Sequence, residues 1–278
     1  MKKIWILAAC ALLFFISGCK GNKIEKQVNQ MVGTQVIAHR GYWKCEGSAQ
    51  NSISSLRNAH KSGVYGSEFD VQITADSVLI VNHDNDFKGH IINLTRYEVI
   101  KDSLLPNGEK LPTLEEYLTA GKKLKGLQLV LELKPVKDNP ALEQYAVEKC
   151  VEMVKEMKLE KRVDYISFSL EACKGFAALM PEASVAYLGG YYMPIELLEM
   201  GINGFDYHYN EVLMNRFWVD EARNYNMTSN IWTVNDSLLV ETLLVGNPTY
   251  LTTDNPEEVT GQIEALKERV RKRLTGEE

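Results

Sequence analysis

The sequence is poor in cysteine and lacks the cysteine spacing of a metal site or a disulfide framework. Five cysteines occur in 278 residues, and three of them, Cys45, Cys150 and Cys173, lie beyond the N-terminal apolar run. These three are odd in number and widely spaced. We therefore expect two core thiols and one thiol near a loop, without a disulfide framework.

The chain also lacks an excess of positive charge. Without Lys2 and Lys3, 29 basic residues face 37 acidic ones, which gives a net charge of −8. This balance argues against a nucleic-acid partner and against a generally basic membrane-binding face. An anionic substrate would have to be held by a few local cations.

Long apolar runs are missing except at the N-terminus, where the run is too short to span a membrane comfortably. Residues 1–18 begin with two lysines and continue as an apolar stretch, which is typical of a signal peptide. The run ends in Ile16-Ser17-Gly18-Cys19, which is similar to a bacterial lipobox, so we expect Cys19 to be lipidated. The alternatives are an uncleaved anchor and a plain secretory signal.

The segment after the leader, residues 19–32, is polar and has no clear core face. We expect it to be a flexible tether that joins the lipid to one domain over residues 33–278. The predicted location is therefore the cell envelope, with the protein anchored to the membrane as a lipoprotein. The sequence gives no indication of an oligomeric state.

Strand and helix patterns alternate along the domain, whose size is typical of one α/β barrel. A glycine-rich nucleotide loop is missing, which argues against an open doubly wound sheet. Eight strand–helix units therefore predict a closed TIM-type (β/α)8 barrel. The predicted strands are Val36–Ala38, one around Glu68, Leu127–Lys134, Val163–Phe168, Ser184–Leu188, Gly204–His208, Thr228–Val234 and Tyr250–Thr253. The predicted helices are Ser52–Ser62, one starting at Thr113, Ala141–Lys158, Leu170–Met180, Pro194–Met200, Asn215–Asn226, Asp236–Val245 and Pro256–Leu274.

One connection is too long for a simple link between strand and helix. Residues 85–111 follow the second strand and contain the turn signal Pro106-Asn107-Gly108. We expect a small insertion or lid over the site. The helix that follows carries a capping box, with Thr113 as N-cap and Glu116 three residues later.

The stretch from Gly66 to Asp84 contains the first candidate site. Successive side chains of a strand point to opposite faces, so Glu68 and Asp70 share one face while the apolar residues beside them share the other. Two buried carboxylates are costly without a cation, which favours a divalent metal over an ordinary half-exposed strand. His83 follows at the end of the next apolar run.

Further polar residues follow other predicted strands. In barrels of this type, the active site lies at the carboxyl ends of the strands. Agreement among several strand ends is more specific than any single motif. The residues at these ends are His39, Arg40, Glu68, Asp70, Glu132, Lys134, His208, and Trp232 with Asn235.

Apart from His208, these residues belong to a series of motifs that resembles a known family. VIAHRG, SEFDVQIT, LIVNHD, LPTLEEYL, LVLELK, ISFS, IWTVN and LTTDNP occur in the order and approximate spacing of the glycerophosphodiester phosphodiesterases, from Val36 to Val259. The resemblance implies that His39 and His83 act as general acid and base and that Arg40 holds the phosphate. It also implies that calcium or magnesium is bound by Glu68, Asp70 and Glu132.

Other residues keep two interpretations. Lys134 either contacts the phosphate or pairs with Glu132. Trp232 either lines the alcohol pocket or packs under the barrel rim. Tyr207 and His208 either contribute to specificity or belong to the core.

The sequence departs from the family pattern in three places. Ala49-Gln50-Asn51 stands where the family commonly has Pro-Glu-Asn, so Gln50 replaces a carboxylate. Thr74-Ala75-Asp76-Ser77 replaces a Thr-Lys-Asp-Gly turn, and Asn247-Pro248-Thr249 replaces Val-Asp-Gly before the last strand. No predicted ligand is lost, but the substrate is left open.

The resemblance implies hydrolysis of a glycerophosphodiester to an alcohol and glycerol 3-phosphate. One alternative is a phospholipase that acts on lysophospholipids or inositol lipids through the same residues. Another is a lipoprotein that binds a phosphodiester without turnover. The presence of both histidines argues against simple binding, because binding needs no acid and base.

Overall fold

The structure, a computed structural model, describes residues 22–277 and forms a closed barrel. Within that range, eight parallel strands pair around the barrel in the order β1, β11, β10, β9, β8, β7, β6, β2, and β2 pairs again with β1. The predicted TIM-type (β/α)8 architecture is confirmed. The strands are β1 (Gln35–Ala38), β2 (Gly66–Ile73), β3 (Leu79–Val81), β4 (Asp86–Phe87), β5 (His90–Ile91), β6 (Gln128–Leu133), β7 (Val163–Ser167), β8 (Val185–Tyr187), β9 (Gly204–His208), β10 (Thr228–Trp232) and β11 (Tyr250–Thr253).

Helices follow the barrel strands and cover the outside of the barrel. The capping box of α4 is present as predicted: the Thr113 hydroxyl accepts a hydrogen bond from the Glu116 N–H, and the Glu116 carboxylate accepts one from the Thr113 N–H. The helices are α1 (residues 22–31), α2 (Ile53–Lys61), α3 (Tyr97–Ile100), α4 (Leu114–Lys123), α5 (Pro140–Glu156), α6 (Leu170–Leu179), α7 (Pro194–Glu199), α8 (Tyr209–Met214), α9 (Phe217–Asn224), α10 (Ser237–Leu244) and α11 (Pro256–Thr275).

The main core lies between the barrel and its helices. Outward-facing strand residues stack on helix residues, as in the ring pair Phe69 and Tyr117, whose centroids are 4.4 Å apart. Cys150 and Cys173 are buried and Cys45 is half-buried in a loop, as expected. A second apolar cluster fills the barrel interior below the polar strand ends. It consists of Ile37, Val130, Ile166, Ala186 and Leu188.

The N-terminal segment differs from the flexible tether that we expected over residues 19–32. Residues 22–31 are helical, and Val28 and Val32 are 0% and 3% exposed. Glu25 pairs with Arg271 of α11 at 2.6 Å. Valines four residues apart share one helix face, and packing of that face stabilises a segment that looks polar as a sequence. Cys19 and the leader lie outside the described residues.

The insertion after the second strand is present and has its own small core. Strand β3 pairs antiparallel with the end of β2, with Val71 opposite Val81, and so carries His83 back to the barrel mouth. Residues 85–111 then form the hairpin β4–β5, a 3₁₀ turn and α3. Phe87, Ile92 and other apolar residues of this segment pack together on Ile80.

No helix within residues 22–277 combines the length and the apolar character needed to cross a membrane.

The first residue of β9 offers a test of the barrel packing. A Cβ added at Gly204 would lie 2.2 Å from Thr228 Oγ1 and 3.1 Å from the Ala186 Cβ. We expect Gly204→Ala to lower the free energy of unfolding by about 1–3 kcal/mol, measured by urea denaturation. Gly261→Ala in α11 is the control, because nothing lies within 4 Å of that Cβ. It should raise the free energy by about 0.5–1 kcal/mol, and equal effects of the two substitutions would contradict this packing.

Candidate active site

A cavity of about 160 Å³ lies at the carboxyl ends of the barrel strands. A second cavity of about 730 Å³ adjoins it, since Gln50 and Asp84 line the second cavity and contact Arg40 and His83 of the first. A third cavity, of about 520 Å³, lies between the loops after β6 and β7 and contains neither histidine. The predicted residues that line the 160 Å³ cavity are His39, Arg40, Glu68, His83, Glu132, Lys134 and Trp232.

Three carboxylates converge at one side of this cavity. Glu68, Asp70 and Glu132 each offer an oxygen, and these oxygens all lie within 4.8 Å of one another. Asp70 is directly opposite Glu132 in the pairing of β2 with β6. The three residues are only 3%, 1% and 7% exposed. The predicted convergence is therefore present in the structure.

The Lys134 ammonium lies between two of these carboxylates. Its Nζ is 2.7 Å from Asp70 Oδ1 and 2.6 Å from Glu132 Oε1. Burial would raise the pKa of Asp70, but the charge of Lys134 and its other partners outweigh burial and lower this pKa to about 2. Burial and the charge of Asp70 raise the pKa of Glu132 to about 8. Lys134 therefore offsets part of the negative charge.

Glu68 is left with a free oxygen. Its Oε2 accepts a hydrogen bond from the Arg40 backbone N–H at 2.7 Å, whereas its buried Oε1 has no hydrogen-bond partner within residues 22–277. Burial, followed by the charges of Asp70 and Glu132, raises the pKa of Glu68 well above its usual range. An orphaned oxygen among oxygen-only donors fits a hard divalent cation.

The loop after β1 closes around this cluster. Asn51 donates to Asp70 Oδ2 at 2.8 Å and accepts from the Asp70 backbone N–H at 3.1 Å. Arg40 donates to Gln50 Oε1 at 2.7 Å, and its Nε lies 3.8 Å from Asp70 Oδ2. Arg40 and Asn51 have φ values of 55° and 60°, so the loop holds two non-glycine residues in the left-handed region.

His39 is oriented by a carboxylate that the sequence did not single out. Its Nδ1 lies 2.8 Å from Asp254 Oδ1, and Asp254 also accepts from Trp43 Nε1 at 3.1 Å and Asn235 Nδ2 at 2.8 Å. Although burial opposes the shift, the His39 hydrogen bond and the other partners lower the pKa of Asp254 to about 2. An anionic partner assigns the proton to Nδ1 and leaves Nε2 for the cavity. The sequence signals for Asp254 were its position after the last strand and its place in the LTTDNP motif.

His83 has a more open environment. Its Nδ1 lies 2.8 Å from Asp84 Oδ1, and the Asp84 side chain is 76% exposed. The Gln72 amide donates to the backbone oxygens of Asn82, His83 and Asp84 and so fixes this loop. Burial lowers the pKa of His83, which favours the neutral imidazole near neutral pH.

Of the three ring-bearing residues left with two interpretations, two lie at the rim of the barrel and one lies in the packed core. Trp232 lines the cavity and donates from Nε1 to the Asp206 carbonyl at 2.9 Å. Tyr207 is fully buried and donates to the Tyr192 carbonyl, so core packing accounts for it. His208 lies at the rim as the N-cap of α8, and its ring centroid is 5.1 Å from that of Trp232.

One carboxylate of the cavity was missed by sequence reasoning. Asp206 faces the barrel interior from β9 and is 2% exposed. Its Oδ2 accepts from Asn230 Nδ2 at 2.9 Å. Burial raises the pKa of Asp206 to about 7. The available signal was an acidic residue between two aromatic residues of a strand.

Comparison with known proteins gives consistent matches. A glycerophosphodiester phosphodiesterase of Caldanaerobacter subterraneus subsp. tengcongensis is 30% identical over 167 residues, covering 56% of this chain and 66% of the relative. The chain therefore spans just under two thirds of that relative's length.

Two solved structures share the barrel. A glycerophosphodiester phosphodiesterase from Parabacteroides distasonis is 51% identical, with a TM-score of 0.82, and the match covers 84% of this chain and 97% of that one. An Oleispira antarctica phosphodiesterase, solved in complex with the product sn-glycerol-3-phosphate, has a TM-score of 0.72 and covers 83% of this chain and 96% of its own. At 24% identity, the second likeness shows the fold alone.

A family model also matches residues 39–258, which contain the barrel strands β2 to β11 and every residue of the cavity described above. This chain belongs to the glycerophosphoryl diester phosphodiesterase family.

Proposed function

We propose that this protein hydrolyses a glycerophosphodiester to an alcohol and glycerol 3-phosphate, with a divalent cation and two histidines. One observation carries the proposal: two imidazoles, three convergent carboxylates and two fixed cations meet in one cavity. The 51% identical glycerophosphodiester phosphodiesterase from Parabacteroides distasonis supports it. So does membership of the glycerophosphoryl diester phosphodiesterase family.

Two positively charged side chains explain how a protein with a net negative charge holds an anionic substrate. Arg40 and Lys134 both line the cavity, and we assign the phosphate to the space between them. Glu68, Asp70 and Glu132 would hold the divalent cation, with calcium and magnesium favoured by the oxygen donors. The cation would stabilise the negative charge that develops on the phosphate oxygens.

The two histidines supply proton transfer. Asp254 holds the His39 ring with Nε2 directed away from that carboxylate, and His83 enters from the β3 side of the mouth. We assign one imidazole to activation of the attacking oxygen and the other to protonation of the leaving oxygen. The attacking oxygen belongs either to water or to a neighbouring hydroxyl of the substrate.

The size of the cavity weighs against a lipid substrate. The cavity of about 160 Å³ is the smaller of the two adjoining cavities, so an acyl chain would have to extend beyond it. If the protein were a phospholipase, the acyl chain of its substrate would lie in the adjoining cavity of about 730 Å³. That cavity is lined in part by the charged residues Lys44, Asp84, Asp86 and Lys88.

We also infer that the protein is a lipoprotein anchored through Cys19. Gly33 and Thr34, just after α1, contact Asn247 and Pro248, which precede β11. The N-terminal segment therefore joins the barrel at the amino ends of the strands, opposite the cavity. In this arrangement the active site faces away from the membrane.

Metal removal tests the cation site. Exhaustive chelation should abolish turnover of glycerophosphoethanolamine, and added Ca²⁺ or Mg²⁺ should restore it and raise the melting temperature, because ion binding stabilises the folded state. Glu68→Gln should weaken ion binding, measured by calorimetry, by about tenfold or more, since it removes an anionic ligand. Glu264→Gln, on the exposed face of α11, should change nothing. Full activity after chelation would refute the site.

Removal of either imidazole tests the proton transfer. His39→Ala and His83→Ala should each lower kcat on an alkyl phosphodiester by roughly 10²- to 10⁴-fold, while calorimetry still detects the bound ion. The variant without the general acid should recover rate selectively on a nitrophenyl ester, whose leaving group needs no proton. His60→Ala in α2, where the ring contacts the Lys125 carbonyl, is the control. Near-normal turnover of both variants would disprove the mechanism.

Replacement of the lipidated thiol tests the anchor. Cys19→Ser should release or mislocalise the protein, as measured by cell fractionation, and leave turnover of the barrel domain unchanged. Cys45→Ser, in a loop of the barrel domain, should remain in the membrane fraction. An active Cys19→Ser protein that stays in the membrane would contradict the prediction.

A further inference from the structure

Asp206 lines the cavity but has no part in the mechanism given above. Its side chain points into the barrel from β9 and is 2% exposed. Asn230 Nδ2 donates to Asp206 Oδ2 at 2.9 Å. The other oxygen, Oδ1, is buried and has no hydrogen-bond partner in the part of the chain that the structure describes.

No cation compensates this carboxylate among residues 22–277. The groups that act on it are its burial and the Asn230 amide, and Glu132 is close enough for the two carboxylates to repel. A buried acceptor without a partner destabilises a fold. A residue of this kind at a cavity wall is explained by a ligand that supplies the missing hydrogen bond.

The carboxylate is also held in one orientation. Asn230 Oδ1 accepts from the Ile231 backbone N–H at 2.9 Å, which fixes the amide so that its nitrogen faces Asp206. Thr252 Oγ1 lies 2.8 Å from the same nitrogen and holds it from the neighbouring strand. Oδ2 is therefore occupied, and Oδ1 is the oxygen left to accept a hydrogen bond from a further donor. Such preorganisation is typical of a binding residue.

We propose that Asp206 binds a free hydroxyl of the substrate's glycerol moiety and so selects deacylated glycerophosphodiesters. The inference rests on the proposed function and names the substrate class of that same site. A hydroxyl donates to a carboxylate and also accepts from a carboxylic acid, so it pairs with Asp206 in either protonation state. The cavity of about 160 Å³, bounded by Trp232 and Phe168, matches a small polyol.

The test compares two diesters of ethanolamine phosphate: one with glycerol and one with propane-1,2-diol, which keeps the hydroxyl next to the phosphoester and lacks the terminal one. The wild-type enzyme should prefer the glycerol diester by about 10²-fold in kcat/KM, because a site built for a hydroxyl rejects the analogue that lacks it. In Asp206→Asn the amide oxygen must accept from Asn230, so the hydroxyl can only accept a neutral hydrogen bond from the NH₂ group, which is weaker than the one it donates to a carboxylate. The preference should fall about tenfold.

Two further variants make the test specific. Asp206→Leu, which is similar in size and has no polar atom, should abolish the preference. Asp164→Asn is the matched control, because Asp164 faces the barrel interior from β7, where it accepts from Gln128 at 2.9 Å, and lies outside the cavity lining. It should keep the wild-type preference.

The outcomes separate the inference from the proposed function. A wild-type enzyme that hydrolyses both diesters equally, or lysophosphatidylethanolamine as fast as its deacylated form, overturns the role of Asp206 while the phosphodiesterase activity stands. The role is also overturned if Asp206→Asn lowers kcat/KM on glycerophosphoethanolamine but not on glycerophosphoethanol. Asp206 would then bind the ethanolamine ammonium. A wild-type enzyme that hydrolyses no diester refutes the proposed function, and the inference falls with it.

Discussion

The structure depends on how the negative charge of three buried carboxylates is compensated. Glu68, Asp70 and Glu132 lie at the carboxyl ends of adjacent strands, almost without contact with solvent. Lys134 pairs with two of them, and the Arg40 backbone binds the third. Like charges at this distance are tolerated only if cations or hydrogen-bond donors surround them. The loop after β1 and the end of β6 therefore both turn toward this cluster.

The same constraint shapes the two sides of the cavity. Next to the carboxylates, Asn51 and Arg40 adopt left-handed backbone conformations to reach Asp70 and Glu68. Such conformations persist where surrounding contacts fix them. Across the cavity, Asp206 is buried, and Asn230 is its only hydrogen-bond donor among residues 22–277. One wall is thus suited to a cation and a phosphate, and the other to a neutral polar group.

Much of the fold was predictable because its signals are local. Alternation of side chains along a strand placed Glu68 and Asp70 on one face, and Thr113 and Glu116 formed the predicted capping box. The eight barrel strands were found, with bounds within two residues for those predicted as ranges. The short helix α8 was missed, because its six residues directly follow β9 and offer too little periodicity to separate it from the strand.

The sequence by itself determined which residue types follow the strands and showed that their motifs match those of the family. Both depend only on the order of residues along the chain. Tertiary structure alone decided that Asp254 orients His39 across 215 positions, that residues 22–31 pack as a helix, and that one Asp206 oxygen has no hydrogen-bond partner within the described part of the chain. The first two depend on partners that come together when β11 closes the barrel against β1, and the third depends on the pairing of β9 with β10 and on the groups around them. Local patterns carry no information about such partners, because closure is a property of the whole chain.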